Sequence, residues 1–456
     1  MVKPFNVTDH IQASLGLGYL ASNVRDRHNV EILDCIKDRV TPLKFRDYIN
    51  RKKPDLIGIQ CYTFDIYPVK EMLEASKEIG AVTVLGGPQP SAEPVETMEF
   101  FGNMIDFMFV GEAETGFSKL ADKLGGSLEF DFDKIEGLVW RQDNNVNVNR
   151  TFLVHDLDKI NGVAWDLIKP EEYPEAQHGA FFKRFPIAPI MVTRGCPYEC
   201  TFCAGKLISG RKFRKRSIES VLDEITMLYR DHGIREFHII DDNFTLDKRY
   251  AKDLLKSLRG LNLGISWAVP NGIRMDTLDD ELLILMKETG LYLISLGIES
   301  GSDKILKAMK KGITVDSIRR AVSLIRNHGI EIAGFFILGF PKETIDDIKA
   351  TIGFSLELDL IRANYFTYLP FPGTESYKEL KAQGKLGGID LKKFFFMAAS
   401  FTPEGIDKRT LKKLQRQAFL RFFLRPRIML KNLSQIKTFN HFRYLFMRAV
   451  RWMFMK

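Results

Sequence analysis

Three cysteines fall within eight residues, Cys196, Cys200 and Cys203, directly after the apolar run 187–193. The spacing C-x3-C-x2-C places three thiolates on one short loop, and Gly195 permits the tight turn that brings the first one round. Such a loop can bind three irons of a four-iron cluster and leave the fourth iron open to a small molecule. The competing reading is a structural zinc site, which needs a fourth ligand. His178 and His232 are the nearest histidines in sequence, and no second C-x2-C or H-x3-H unit accompanies the loop. The chain has only five cysteines, too few for a disulfide scaffold, so their crowding reads as metal binding in a reducing compartment.

The loop opens a regular alternation. Strands are expected at 187–193, 236–240, 264–269, 292–297, 331–338 and 364–369, with helices at 218–230, 248–258, 279–288, 315–327 and 343–356. Six such units predict a parallel, curved sheet or partial barrel, with ligand-binding loops at the carboxyl strand ends. Those ends carry Asp241-Asp242-Asn243, Glu299-Ser300-Gly301, Gly339-Phe340-Pro341 and Pro370-Phe371-Pro372-Gly373. Capping and turn bonding account for any one of these polar residues; their recurrence at successive strand ends favours a site. An earlier alternation places strands at 30–34, 55–60, 81–85 and 104–110, with a helix at 69–79, and predicts a small doubly wound domain. The whole is an α/β chain of 456 residues, too long for one core. It divides into a Rossmann-like domain (1–125), a connector (126–186), a partial (β/α)6 barrel (187–375) and a helical basic region (376–456). Within the connector, 135–140 and 146–148 suit a hairpin.

C-x3-C-x2-C after the first strand of a barrel, with Phe202 before the third cysteine, resembles the radical S-adenosylmethionine (SAM) superfamily. The resemblance implies a [4Fe-4S] cluster on Cys196, Cys200 and Cys203, and SAM on the open iron. Reductive cleavage of SAM then releases a 5′-deoxyadenosyl radical, and a reductant such as flavodoxin or ferredoxin supplies the electron. Thiolate ligation gives the low potentials this step needs. By the same resemblance Glu299 and Ser300 would contact SAM, Arg274 would pair with its carboxylate, and Phe202 and Asp241 would line the cofactor site.

The order Leu15–Ala21, Asp34, 55–60, Gly86-Gly87-Pro88 and Val110-Gly111-Glu112-Ala113-Glu114 resembles the cobalamin-binding domain of the B12-dependent radical SAM family. The implied corrin contacts are Cys61, Tyr62, Thr63, Gly86, Gly87, Pro88 and Gln89. Two departures stand out: Gln89 replaces a common histidine, and no Asp-x-His-x-x-Gly motif offers a histidine to cobalt. The opening strand is also obscure, because 1–7 is short and carries Pro4. A degenerate scaffold domain is the alternative. Methylthiotransferases, with three further cluster cysteines, are excluded because only Cys35 and Cys61 remain.

Residues 408–456 hold 14 Lys/Arg and no Asp/Glu, and removing those charges from the net +8 leaves the rest of the chain at −6. Phe422, Phe442, Phe446 and their neighbours recur at helical spacing, and Pro426 divides two helices. Such faces suit either packing on the barrel or an anionic membrane surface. The basic run 211–216 lacks a nucleic-acid recognition fold, and no nucleic-acid partner is expected. Neither a signal peptide nor a bilayer-spanning run is visible, so the expected location is cytoplasmic, peripheral to the membrane where the tail binds it. The family resemblance implies methyl transfer from cobalamin to an unactivated carbon, and the Phe-rich, basic tail tilts the small-molecule substrate towards a hydrophobic or lipid-like biosynthetic intermediate. Ring-forming or oxidative radical chemistry is one alternative, and a non-catalytic electron-transfer or redox-sensing protein is another.

Overall fold

In the computed structural model, which describes residues 1–5, 11–127, 131–143, 145–175, 182–436, 438–439, 441–443 and 445–447, two sheets organise the chain. The first contains β1 (Val2–Lys3), β2 (Leu33–Asp34), β3 (Leu56–Gln60), β4 (Val82–Gly86), β5 (Phe107–Phe109), β6 (Leu138–Gln142) and β7 (Asn145–Val148). Its order is β2-β1-β3-β4-β5-β6-β7. The first five strands are parallel, as expected of strands joined through helices. The obscure opening strand exists but is two residues long, held between β2 and β3. The expected strand at 30–34 is confined to its last two residues. The connector hairpin does form, and β6 pairs antiparallel with β5, so the first sheet continues beyond residue 125.

The second sheet is wholly parallel, in the order β8 (Ile187–Ile190), β11 (Glu236–Ile239), β12 (Ser266–Ile273), β13 (Leu291–Glu299), β14 (Glu331–Leu338) and β15 (Arg362–Thr367). β8 and β15 do not pair, so the barrel is partial. Its crossover helices begin where short polar side chains cap exposed N–H groups. Ser217, Asp247 and Asp279 accept from Ser220, Tyr250 and Leu282, and Thr314 and Thr344 form capping boxes with Ser317 and Asp347. Each helix then buries one apolar stripe on the sheet, as Ile318, Val322 and Ile325 do on Val315–Asn327.

The expected first barrel strand, 187–193, is broken. It leaves the main sheet after Ile190, and β9 (Thr193–Arg194) instead pairs antiparallel with β10 (Arg214–Lys215). The cause is Asp241 at the end of β11. Its carboxylate accepts the Val192 and Thr193 N–H groups, each at 2.8 Å, in place of a strand ladder.

Beyond the barrel come helices Glu375–Ala382, Lys408–Phe423 and Pro426–Ser434. Pro426 occupies the first turn of the last, where its missing N–H has no consequence. Between residues 383 and 407 regular structure is limited to the 3-10 turn Leu391–Lys393, short of the continuous helical pattern expected from 376. Leu411, Leu414, Ala418 and Phe422 are buried, and the helix carrying them covers the free edge of β15. Among the described residues no helix is long and apolar enough to cross a membrane.

Candidate active site at the cluster loop

The three cysteines lie between β9 and the short helix Lys206–Ser209. Gly195 turns the chain into this loop at φ +87, and a Cβ there would sit 2.3 Å from the Lys212 carbonyl oxygen, so glycine is required. The loop is held from outside. The Thr201 N–H donates to the Met309 carbonyl, and the Thr201 carbonyl accepts from both the N–H and the hydroxyl of Ser376, all at 3.0 Å.

All three thiols are free, and Cys200 lies close enough to raise the pKa of both Cys196 and Cys203. Burial pushes the Cys203 thiol up to about 11, while Lys311 opposes it. Among the described residues no three His, Cys, Asp or Glu side chains converge on one metal-ion position. A cluster makes no such demand, because each thiolate takes a different iron. Of the two histidines considered for zinc, His232 pairs with Glu171 at 2.9 Å, and His178 lies outside the described residues. The donor set fits an iron–sulfur cluster better than mononuclear zinc.

Glu299 ends β13 at φ +62, buried, and accepts from Lys311 Nζ at 2.7 Å. Burial alone would lower the Lys311 pKa; the Glu299 charge, then Cys200, outweigh it and hold the ammonium protonated. The same ammonium lies 5.8 Å from the centroid of Phe202. Sequence reasoning missed Lys311, which belongs to no motif and reaches the cluster loop only through the turn after helix Asp303–Ala308. Asn243, fully buried after β11, has no partner for either amide atom, an unmet hydrogen-bonding capacity that suits a polar ligand.

Three other expected contacts are already engaged. Arg274 grips Asp276 at 3.0 and 2.8 Å, donates to the Lys311 carbonyl at 2.8 Å, and stacks 3.6 Å from the centroid of Tyr198. It therefore braces the cluster loop rather than offering a free fork. Both Asp241 oxygens bond the 192–193 backbone and the Thr193 hydroxyl; burial nevertheless pushes its pKa up to about 7. The Ser300 hydroxyl lies 3.1 Å from that of Thr351 and accepts the Ser302 N–H. Tyr365 and Tyr368 are core residues bonded to Ser355 and Ser376. The basic run is internally paired: Arg211 with Glu199, Arg214 with Glu112, Lys215 with Asp247 and Arg216 with Glu224.

At the carboxyl edge of the first sheet, the expected corrin loops are tied to each other. The Cys61 N–H donates to the Gly86 carbonyl at 2.8 Å, and the Gln89 N–H to the Cys61 carbonyl at 3.1 Å. Gly87, at φ +108, brings its backbone against Cys61, where a Cβ would meet the carbonyl oxygen at 3.0 Å. Pro88 begins the short helix Pro88–Ala92. Thr63 donates to Gln89 Oε1 at 2.7 Å, and Gln89 donates to Thr97 at 3.3 Å, so the residue in place of histidine organises the loop. Cys61 is fully buried, its thiol pKa raised by burial. Tyr62 and Phe64 stack, with centroids 5.1 Å apart. An edge of close backbone, neutral side chains and stacked rings fits a large flat cofactor.

This edge faces the barrel mouth. Tyr377 donates to Glu93 at 2.7 Å, and the turn Leu391–Lys393 packs against Thr63–Asp65. Arg194 and Arg214, flanking the cluster loop, pair with Glu114 and Glu112 after β5. These contacts hold the candidate corrin edge of the first sheet against the barrel mouth, beside the cluster loop.

The Radical SAM superfamily model matches residues 190–355, and the B12 binding domain model residues 6–121. An uncharacterized methyltransferase of Pyrococcus horikoshii is 32% identical over 440 residues, 96% of this chain and 92% of the relative. An anaerobic magnesium-protoporphyrin IX monomethyl ester cyclase of Rubrivivax gelatinosus is 26% identical over 415 residues, 90% of this chain and 73% of the relative. A solved structure of the cobalamin-dependent SAM radical enzyme OxsB, with aqua-cobalamin and SAM bound, shares the fold at TM-score 0.75 and 18% identity, over 99% of this chain and 70% of that one. Three thiolates on the first barrel loop, a glycine-lined edge facing them and full-length similarity converge, and the chain belongs to the cobalamin-dependent radical SAM family, whose cofactors are a [4Fe-4S] cluster, SAM and cobalamin.

Proposed function

We propose that this enzyme methylates an unactivated carbon of a hydrophobic small molecule held between the two cofactor edges. The observation that carries the reading is a strip of aromatic rings between them. Phe335 on β14 and Phe366 on β15 stack with centroids 5.9 Å apart, Phe366 meets Phe396 at 4.9 Å, and Phe396 meets Phe371 at 5.9 Å. Phe335 lies on the lumenal face, since a Cβ on Gly272 of β12 would approach it to 3.6 Å. All four rings are only half-buried. Residues 391–397 carry the strip from the Thr63–Asp65 turn to the barrel mouth. Rings left partly uncovered in this position offer apolar area to a ligand, supplying about 25 cal/mol per Å² buried and helping to exclude water from a radical site.

Bound SAM and cobalamin supply the radical and methyl chemistry. Cys196, Cys200 and Cys203 hold the cluster, and the Lys311–Glu299 pair with Asn243 orients SAM beside it. Arg274 holds the loop through Tyr198. The loops at 61–64 and 86–89 seat the corrin. The methyltransferase name of the Pyrococcus relative supports methyl transfer, and the cyclase relative supports ring formation as the second reading.

The test uses anaerobic protein carrying both cofactors, a flavodoxin or dithionite reductant, methyl-deuterated SAM and an apolar extract of the cells that make it. Methyl transfer predicts a labelled apolar product together with 5′-deoxyadenosine and S-adenosylhomocysteine. Turnover to 5′-deoxyadenosine with an unlabelled product would replace this reading with ring formation.

A further inference from the structure

The basic tail has no part in the site described above, and its placement is specific. Helix Pro426–Ser434 lies across the amino ends of the last two barrel strands. Lys431 pairs with Glu331, the first residue of β14, at 2.5 Å, and Gln435 bonds Arg362, the first residue of β15, at 2.9 Å. The chain then crosses towards the amino end of β8. Thr438 donates to Glu175 at 2.6 Å, and the His441 ring packs 4.9 Å from that of Phe182. The tail therefore floors the barrel on the face opposite the cluster loop.

Its outer surface is apolar and uncovered. Leu430 is 68% exposed, Leu433 58%, Phe439 78%, Phe442 45% and Phe446 58%. The three phenylalanine rings form one row, with successive centroids 6.5 and 6.1 Å apart. In sequence, residues 408–456 hold 14 Lys/Arg and no acidic residue, on a chain whose remainder is net negative, and among the described residues Arg443 is exposed next to Phe442. Exposed aromatic rings on a segment whose only charges are basic complement the acyl boundary and anionic headgroups of a bilayer surface.

We propose that this floor docks the enzyme on an anionic membrane surface, with the barrel mouth turned away from the bilayer. The apolar row enters the headgroup region and the arginines and lysines pair with lipid phosphates. This orientation leaves the barrel mouth on the aqueous side, so the surface acts as an anchor and not as a substrate gate.

The test is co-sedimentation of the full chain with vesicles of phosphatidylcholine, alone or with about one quarter phosphatidylglycerol. Binding is expected only with the anionic lipid, weakening as salt is raised. Arg443→Glu should weaken it about fivefold or more, and the pair Phe442→Ser and Phe446→Ser should abolish it. Neither change touches the buried face, so circular dichroism and cluster absorbance should stay as in the parent. Equal binding to both vesicle types, no binding to either, or a tail-dependent dimer in sedimentation equilibrium without vesicle binding would each overturn the proposal.

Discussion

Arg214 Nη1 and Nη2 lie 2.7 and 2.6 Å from the two carboxylate oxygens of Glu112, a bidentate pair almost wholly removed from solvent. Arg194 adds a contact to Glu114 at 2.7 Å and one to Glu112 at 3.3 Å. The pairs join the end of β5 to the strands that flank the cluster loop, and so fix one cofactor edge against the other. Removing one member strands a buried charge, which costs about 3–5 kcal/mol. Glu112→Ala should lower unfolding free energy by that amount in urea titrations. Glu112→Met with Arg214→Met should recover most of the loss. A single-variant loss below about 1 kcal/mol would mean that the clamp is solvated.

Cys200→Ala should abolish the cluster and leave the other cofactor edge intact. Iron and sulfide after anaerobic reconstitution should fall to background and 5′-deoxyadenosine formation should disappear. Hydroxocobalamin retention should remain near the parent level, because the loops at 61–64 and 86–89 bond to each other and to Gln60, Asp65, Ser91, Glu93 and Thr97, all within the first domain. Loss of cobalamin in the same variant would show that the two sites are not separable.

Lys311→Met removes the cation beside Glu299 and Cys200. The expected effect is weaker SAM binding by tenfold or more, about 1.4 kcal/mol, read from the SAM dependence of 5′-deoxyadenosine formation. Arg274→Lys should act differently. It loses the stack on Tyr198 and the two-point grip on Asp276, so cluster loading should suffer before SAM affinity does.

Glu343 gives a pH signature. Burial raises its carboxyl to about 8, against the N–H groups of Gly339 and Phe340, and its Oε1 has no partner. A carboxyl whose folded pKa lies above its unfolded value stabilises fully below the unfolded pKa, near 4.5, and loses that contribution as pH rises through about 8. Stability should therefore fall by a few kcal/mol between about pH 5 and 9, since a tenfold difference in proton affinity between the folded and unfolded chain is worth about 1.4 kcal/mol. Glu343→Gln should flatten that part of the curve. A variant with the parent's pH profile would mean that Glu343 is ionised in the fold.

The cluster loop, both sheets and most helices were legible in the sequence because each rests on local rules. The strand 331–338 and the helix 315–327 fall where periodicity and caps place them. The three thiolates are close in sequence, so their chemistry needs no tertiary contact to be recognised. Tertiary structure alone decided which polar side chains remain free for a ligand. Asp241 looks like a site residue until it captures the 192–193 backbone, 48 to 49 residues away. Arg274 looks like a free cation until Tyr198 and the Lys311 carbonyl approach it. Lys311 carries no signal of its own, and its role, like the pairing of Glu112 with Arg214, arises from burial beside an opposite charge, which depends on how distant segments pack. The direction of the basic tail is set in the same way, because a helix that can either pack or bind lipid is committed only by the strand ends it meets.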